Sequence, residues 1–148
     1  MSLKLYTNDN LFSRTPAGRL FVEVWKECLN EFTREFSYTA DCAGLSFSCN
    51  NYADNVGFEW SGYHSSLSAY VKQTIELLIK MKTAALDEIF NDKKEELLQN
   101  YKNHYLNQTF RLAWGQISYH MQSWNIERKL LRSLLEQYTY ADFKAQLD

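Results

Sequence analysis

Glycine and proline are scarce in this sequence, with five Gly and one Pro among 148 residues. That scarcity excludes collagen-like repeats and speaks against an all-β fold with many tight turns. The three cysteines, Cys28, Cys42 and Cys49, show no C-x-x-C spacing. A zinc knuckle and a redox dithiol motif are therefore both absent. No apolar run is long enough to cross a bilayer, and Met1-Ser2-Leu3-Lys4-Leu5 lacks the apolar core of a signal peptide. An odd cysteine count without such a signal leads us to expect reduced thiols and a cytoplasmic location. Excess charge is missing as well: 16 Lys+Arg face 18 Asp+Glu, for a net charge of −2. That balance removes the electrostatic case for nucleic acid or an anionic membrane as partner.

Aromatic residues are plentiful, at 16% of the chain within a hydrophobic share of 45%. Such a composition supports a packed core in one domain rather than disorder. Leu3 to Thr7 alternates like the end of a strand. Thr15 caps and Pro16 opens a helix carrying Phe21, Val24, Trp25, Cys28, Leu29, Phe32 and Phe36, predicted to run to Ala43-Gly44. The period then shifts to two. Leu45, Phe47 and Cys49, then Phe58 and Trp60, predict a hairpin around Asn50, Asn51, Asp54 and Asn55. Gly57 and Gly62 are read as weakening its second strand and marking a bulge.

From Ser66 onward the pattern is helical. Leu67, Tyr70, Val71, Thr74, Leu77, Leu78 and Met81 form one stripe, with Ser65 or Ser66 as cap. Asp87 is expected to cap a helix bearing Phe90, Leu97, Tyr101 and Tyr105. Thr109 is expected to cap one bearing Phe110, Ala113, Trp114, Ile117 and Met121. Asn125 starts a further helix with Ile126, Leu130, Leu134 and Tyr138. Thr139 to Asp142 has capping-box form and opens a last short helix through Phe143 and Leu147. Helix, hairpin, then a run of helices predicts an α+β fold, with helices packed on one face of a small antiparallel sheet. Residues 1–148 are read as one domain whose sheet is incomplete, because a two-stranded hairpin is marginal alone.

Motifs that would carry chemistry are not found. His64, His104 and His120 lie at neither H-E-x-x-H nor H-x-x-E-H spacing, so no pair can grip one metal from adjacent turns. A catalytic Cys–His pair would need Cys42 or Cys49 near His64. Cys28 and Cys49 fall instead on apolar faces, as buried structural cysteines do. Ser46, Ser48 and Ser65 to Ser68 lack a G-x-S-x-G setting. Asp87-Glu88 and Glu95-Glu96 sit among lysines, as on a solvated helix face. Tyr101, Lys102, His104 and Tyr105 are the nearest approach to a base-stacking patch, and neighbouring acids cancel its field. The sequon at Asn107-Gln108-Thr109 is expected to stay unglycosylated, since no signal peptide is read here. No catalytic, cofactor-binding or metal-binding residue is assigned.

The stretch Glu35-Phe36-Ser37-Tyr38-Thr39-Ala40-Asp41-Cys42-Ala43-Gly44-Leu45-Ser46-Phe47 resembles the helix-to-strand passage in the C-terminal half of insulysin- and pitrilysin-type zinc metallopeptidases. The strand from Val56 through Gly62-Tyr63, the helix from Leu67 to Met81 and the segment Leu130 to Phe143 continue the likeness, which spans roughly residues 16–148. The resemblance implies the non-catalytic third of four homologous α+β domains, in two halves that enclose peptides. In the first domain of that family, H-x-x-E-H and a later Glu hold zinc, which polarises the scissile carbonyl and activates water. Where that domain has its ligands, this sequence has Phe21, Val24 and Trp25, so the resemblance implies no cofactor in this chain and zinc elsewhere in a parent enzyme. The partners it implies are other domains of the same polypeptide and, in the whole enzyme, peptide substrates. Self-association is expected of such a domain alone. Two alternatives stand beside it: a stand-alone protein-binding module, and a pseudoenzyme subunit paired with a separate zinc-bearing chain.

Overall fold

The computed structural model describes residues 2–6, 15–52, 55–106, 108–121 and 125–147. Its elements run β1 (Ser2–Tyr6), α1 (Pro16–Phe32), α2 (Arg34–Cys42), β2 (Ser46–Asn51), β3 (Asn55–Ser61), α3 (His64–Thr83), α4 (Asp87–Asn103), a 3-10 turn (His104–Leu106), α5 (Thr109–Met121), α6 (Arg128–Gln137) and α7 (Tyr140–Leu147). The predicted α+β class holds: the helices pack against a three-stranded antiparallel sheet of order β1-β3-β2.

The sheet has two chemically distinct faces. Phe47 pairs with Trp60 and Cys49 with Phe58 across β2 and β3, while Leu3 and Leu5 of β1 pair with Phe58 and Val56. These residues share one face, because side chains alternate along a strand. The other face carries Ser46, Ser48, Glu59 and Ser61, and the Ser46 and Ser61 hydroxyls lie 2.6 Å apart. Register runs unbroken from Ser46↔Ser61 to Asn51↔Val56, so the bulge expected at Gly57 and Gly62 does not form. The glycines serve other ends. A Cβ on Gly57 would lie 2.8 Å from the Tyr52 ring. One on Gly62, whose φ is +151°, would lie 2.3 Å from Leu45 Cδ2. Gly62 thus lets β3 turn into α3 against the start of β2, and Gly44 (φ +75°) closes α2 as predicted.

The first predicted helix is two helices. Thr33, 2% exposed, sits between them at φ −94°, ψ 1°, and its hydroxyl donates to the Leu29 carbonyl at 2.8 Å. Such back-bonding bends helices, which periodicity alone does not reveal. The start is as read: Thr15 Oγ1 accepts from the Gly18 N–H at 3.1 Å, with Pro16 in the first turn.

α1 is the centre of the molecule. Trp25 on its stripe meets the sheet, edge-on to the Phe58 ring at 6.1 Å, while Phe21 of the same stripe meets Phe143 of α7 at 5.8 Å. Leu20 and Val22, outside the stripe, are also buried, because α4 and α6 cover the helix from behind. A helix apolar over most of its circumference belongs inside. Phe90 of α4 and Phe143 of α7, 1% and 0% exposed, close that second layer with Tyr138 and Tyr140 around them.

Caps and stripes differ from expectation in several places, among them α6, which is capped at Glu127 and does not start at Asn125. α3 begins at Tyr63 without a side-chain cap, so Ser65 and Ser66 fall inside its first turn. Leu86, not Asp87, is the N-cap of α4. α6 buries Leu131 and Leu135, while Leu130 is 44% exposed, one position off the predicted stripe. The capping box holds: the Thr139 N–H donates to Asp142 Oδ2 at 3.0 Å and the Asp142 N–H to Thr139 Oγ1 at 3.3 Å. Phe90→Ala should cost about 3–5 kcal/mol, read as a lowered midpoint in urea, with the m-value retained if the fold is kept.

Candidate functional site

Polar side chains converge in one region, at the solvent-facing side of α1, α4 and α6. Arg19 and Glu23 stand one turn apart on α1, and Arg19 Nε donates to Glu23 Oε1 at 2.8 Å. The Tyr101 hydroxyl, on α4, donates to Glu23 Oε2. Burial, and then the negative charge of Glu23, push the Tyr101 phenol well above its usual range, so it stays protonated as donor. Nearby, Arg128 donates to His104 Nδ1 at 2.8 Å. Burial and the Arg128 charge hold His104 below its usual pKa, which suits a neutral ring accepting at Nδ1.

These groups border two adjoining hollows of about 340 and 750 Å³, which share Asn125, Ile126 and Arg128 in their walls. The larger lies under α5 and is lined also by Arg111, Trp114 and Tyr119. Chemically the region presents arginines and a neutral imidazole, with Glu23 already bonded to Arg19 and Tyr101. That set can hold an anion or a polar chain. It lacks a nucleophile paired with a base.

The residues weighed from sequence lie apart. Cys28 and Cys49 are buried, and burial raises their thiols to about 12 and about 11. Cys42 is exposed at the end of α2. The side chains of His64 and Tyr105, and all of Asn107, are outside the described residues. Asp87, Glu88, Glu95 and Glu96 are exposed. Glu96 pairs with Lys93, which also bridges to Glu31 of α1, both at 3.0 Å. Tyr101 is buried against Glu23, so no base can stack on it. Among the described residues, no three His, Cys, Asp or Glu side chains group as a metal ion requires. The α1 face of Phe21, Val24 and Trp25 offers no donor atom, and Phe21 and Val24 are buried. A zinc ion does not fit there.

Sequence reading passed over the Glu23–Arg19–Tyr101 cluster. The i,i+4 spacing of Arg19 and Glu23 was its one local signal. Tyr101 reaches it only through the packing of α4 on α1.

Residues 1–134 match the family described as "Middle or third domain of peptidase_M16". Among solved structures, the chain is similar to a crystal structure of pitrilysin, with a TM-score of 0.78 and 15% sequence identity. The match covers 99% of this chain and 15% of that one, so the chain spans about 15% of the pitrilysin length. At that identity the likeness is one of fold. No curated protein matches the chain.

A thiol reagent at pH 8 should modify Cys42 alone, with Cys28 and Cys49 joining only in denaturant; mass spectrometry of the adducts reads this out. A pH test uses Glu31, whose carboxyl is held below its usual range by the Lys93 hydrogen bond first and the Arg34 bond second. A folded value below the unfolded one lends stability that is present above the unfolded value and lost as pH falls through the folded one. Glu31→Gln should therefore lower the thermal midpoint at pH 7 and hardly move it near pH 2.

Proposed function

Because the chain belongs to the peptidase M16 family as its middle or third domain, we propose that it is a non-catalytic wall of a peptide-enclosing chamber in a zinc metalloendopeptidase. The observation that carries this reading is the face of α1. Where the family resemblance implies metal ligands, Phe21, Val24 and Trp25 face the core and sheet instead of a solvent-filled site. A helix committed in this way to packing supplies a scaffold and no Lewis acid. Hydrolysis then belongs to another domain of the parent, which holds zinc and the general base.

The small sheet supports the same reading. Leu3 and Leu5, on its apolar face, are 42% and 50% exposed, as expected where neighbouring structure completes the cover. The partners are accordingly other domains of one polypeptide, with peptides as substrates of the whole enzyme and the cytoplasm as its compartment. Among the described residues no helix is long and apolar enough to cross a membrane.

A stand-alone binding module or a pseudoenzyme subunit would use the same exposed apolar surfaces for a separate partner. Native size separates these readings. The parent enzyme predicts a polypeptide roughly six to seven times this length carrying H-x-x-E-H, found by matching tryptic peptides from source lysate to a size-resolved band. A native chain of about this size transfers the case to the binding module. The purified chain should not cleave fluorogenic peptides when zinc is added; turnover that a chelator abolishes would sink the non-catalytic reading.

A further inference from the structure

α5 is turned inside out relative to its sequence. Phe110, Trp114, Ile117 and Met121 recur at spacings of four, three and four, a single narrow apolar seam. Such a seam ordinarily faces a core. Instead they are 66%, 69%, 48% and 80% exposed. α5 lines the 750 Å³ hollow with Leu112, Gly115 and Ser118, and with Arg111 and Trp114, so Trp114 belongs both to the seam and to the hollow's wall. No other element makes extensive contact with α5 among the described residues.

A 13-residue helix is marginal in water unless an apolar face is buried. Here the face that would stabilise it is the one left open. The seam exposes roughly 500 Å² of side chain, about one side of an interdomain contact. Its charge narrows the choice of occupant. From Thr109 to Met121 there is Arg111 and His120, and no Asp or Glu. A second copy docked seam to seam would add another arginine and no carboxylate from this helix.

We propose that the outward seam of α5 is the docking face on which this domain seats an apolar, acid-rimmed groove of another domain in the same polypeptide. The proposal rests on the parent-enzyme reading and adds to it the surface used. Trp114 is the central anchor, and Arg111, stacked by Phe110 at 5.9 Å from its ring, meets the acidic rim.

The test places a thiol on the seam: Met121→Cys in a Cys42→Ser background, with Cys28 and Cys49 buried. Iodoacetamide labelling is compared between the 148-residue chain and the full parent polypeptide. Labelling of residue 121 should be slower in the parent by about tenfold or more, at any protein concentration. Trp114→Glu should restore the fast rate there while leaving the far-ultraviolet circular dichroism of the short chain unchanged. Equal rates in both proteins overturn the docking face, even with the parent's length and H-x-x-E-H established. Protection of the short chain that grows with its concentration overturns it in favour of a second copy. A native polypeptide of about this size removes the parent-enzyme reading first, and mass alone reports that failure.

Discussion

The structure depends on burying α1 from two sides at once. One side meets the sheet through Trp25 and Phe58, and the other is covered by α4 and α6, with Leu20 and Val22 buried. Each large side chain so buried contributes roughly 1.5–3 kcal/mol. The polar links follow the same geometry. Lys93 ties α4 to Glu31 of α1, and Tyr101 ties it to Glu23. A helix used in this way cannot also open a pocket for a metal. The packing and the absence of donor atoms on its apolar face are two aspects of one arrangement.

Local chemistry made much of the fold legible. Thr15-Pro16, Gly44, the alternation through Phe58 and Trp60, and the Thr139–Asp142 box each act within a few residues, and each appears in the structure as read. The errors came where tertiary contacts decide. Thr33 breaks the first helix because its buried hydroxyl turns back on the Leu29 carbonyl. Leu131 and Leu135 displace Leu130 from the core because α6 is oriented by α1 and α4, which its own periodicity does not specify. Gly57 is required by the Tyr52 ring, not by a bulge. The α5 seam is the sharpest case: its pattern identifies an apolar face correctly and says nothing about which molecule or domain covers it.

The candidate site was less legible than the fold. Arg19 with Glu23 and the neutral His104 under Arg128 become neighbours only when three helices assemble. By contrast, the family was readable through the order of its segments, from Ala43-Gly44-Leu45 to the leucine-rich helix and Thr139. Those segments encode the chain's path, whereas the polar hollows depend on side chains that no short motif links.

The pairing of β1 has a consequence for how the chain reaches this state. β2 and β3 are joined by a tight connection and can pair locally, on the microsecond scale typical of hairpins. Ser2, however, pairs with Glu59, on the far side of both N-terminal helices. Closing that long loop is entropically unfavourable until α1 and the hairpin have condensed. β1, though it precedes the hairpin in sequence, is thus among the last strands to find its place. Until then Leu3 and Leu5 remain unpaired, and the open edge of β3 can accept any extended segment that arrives first.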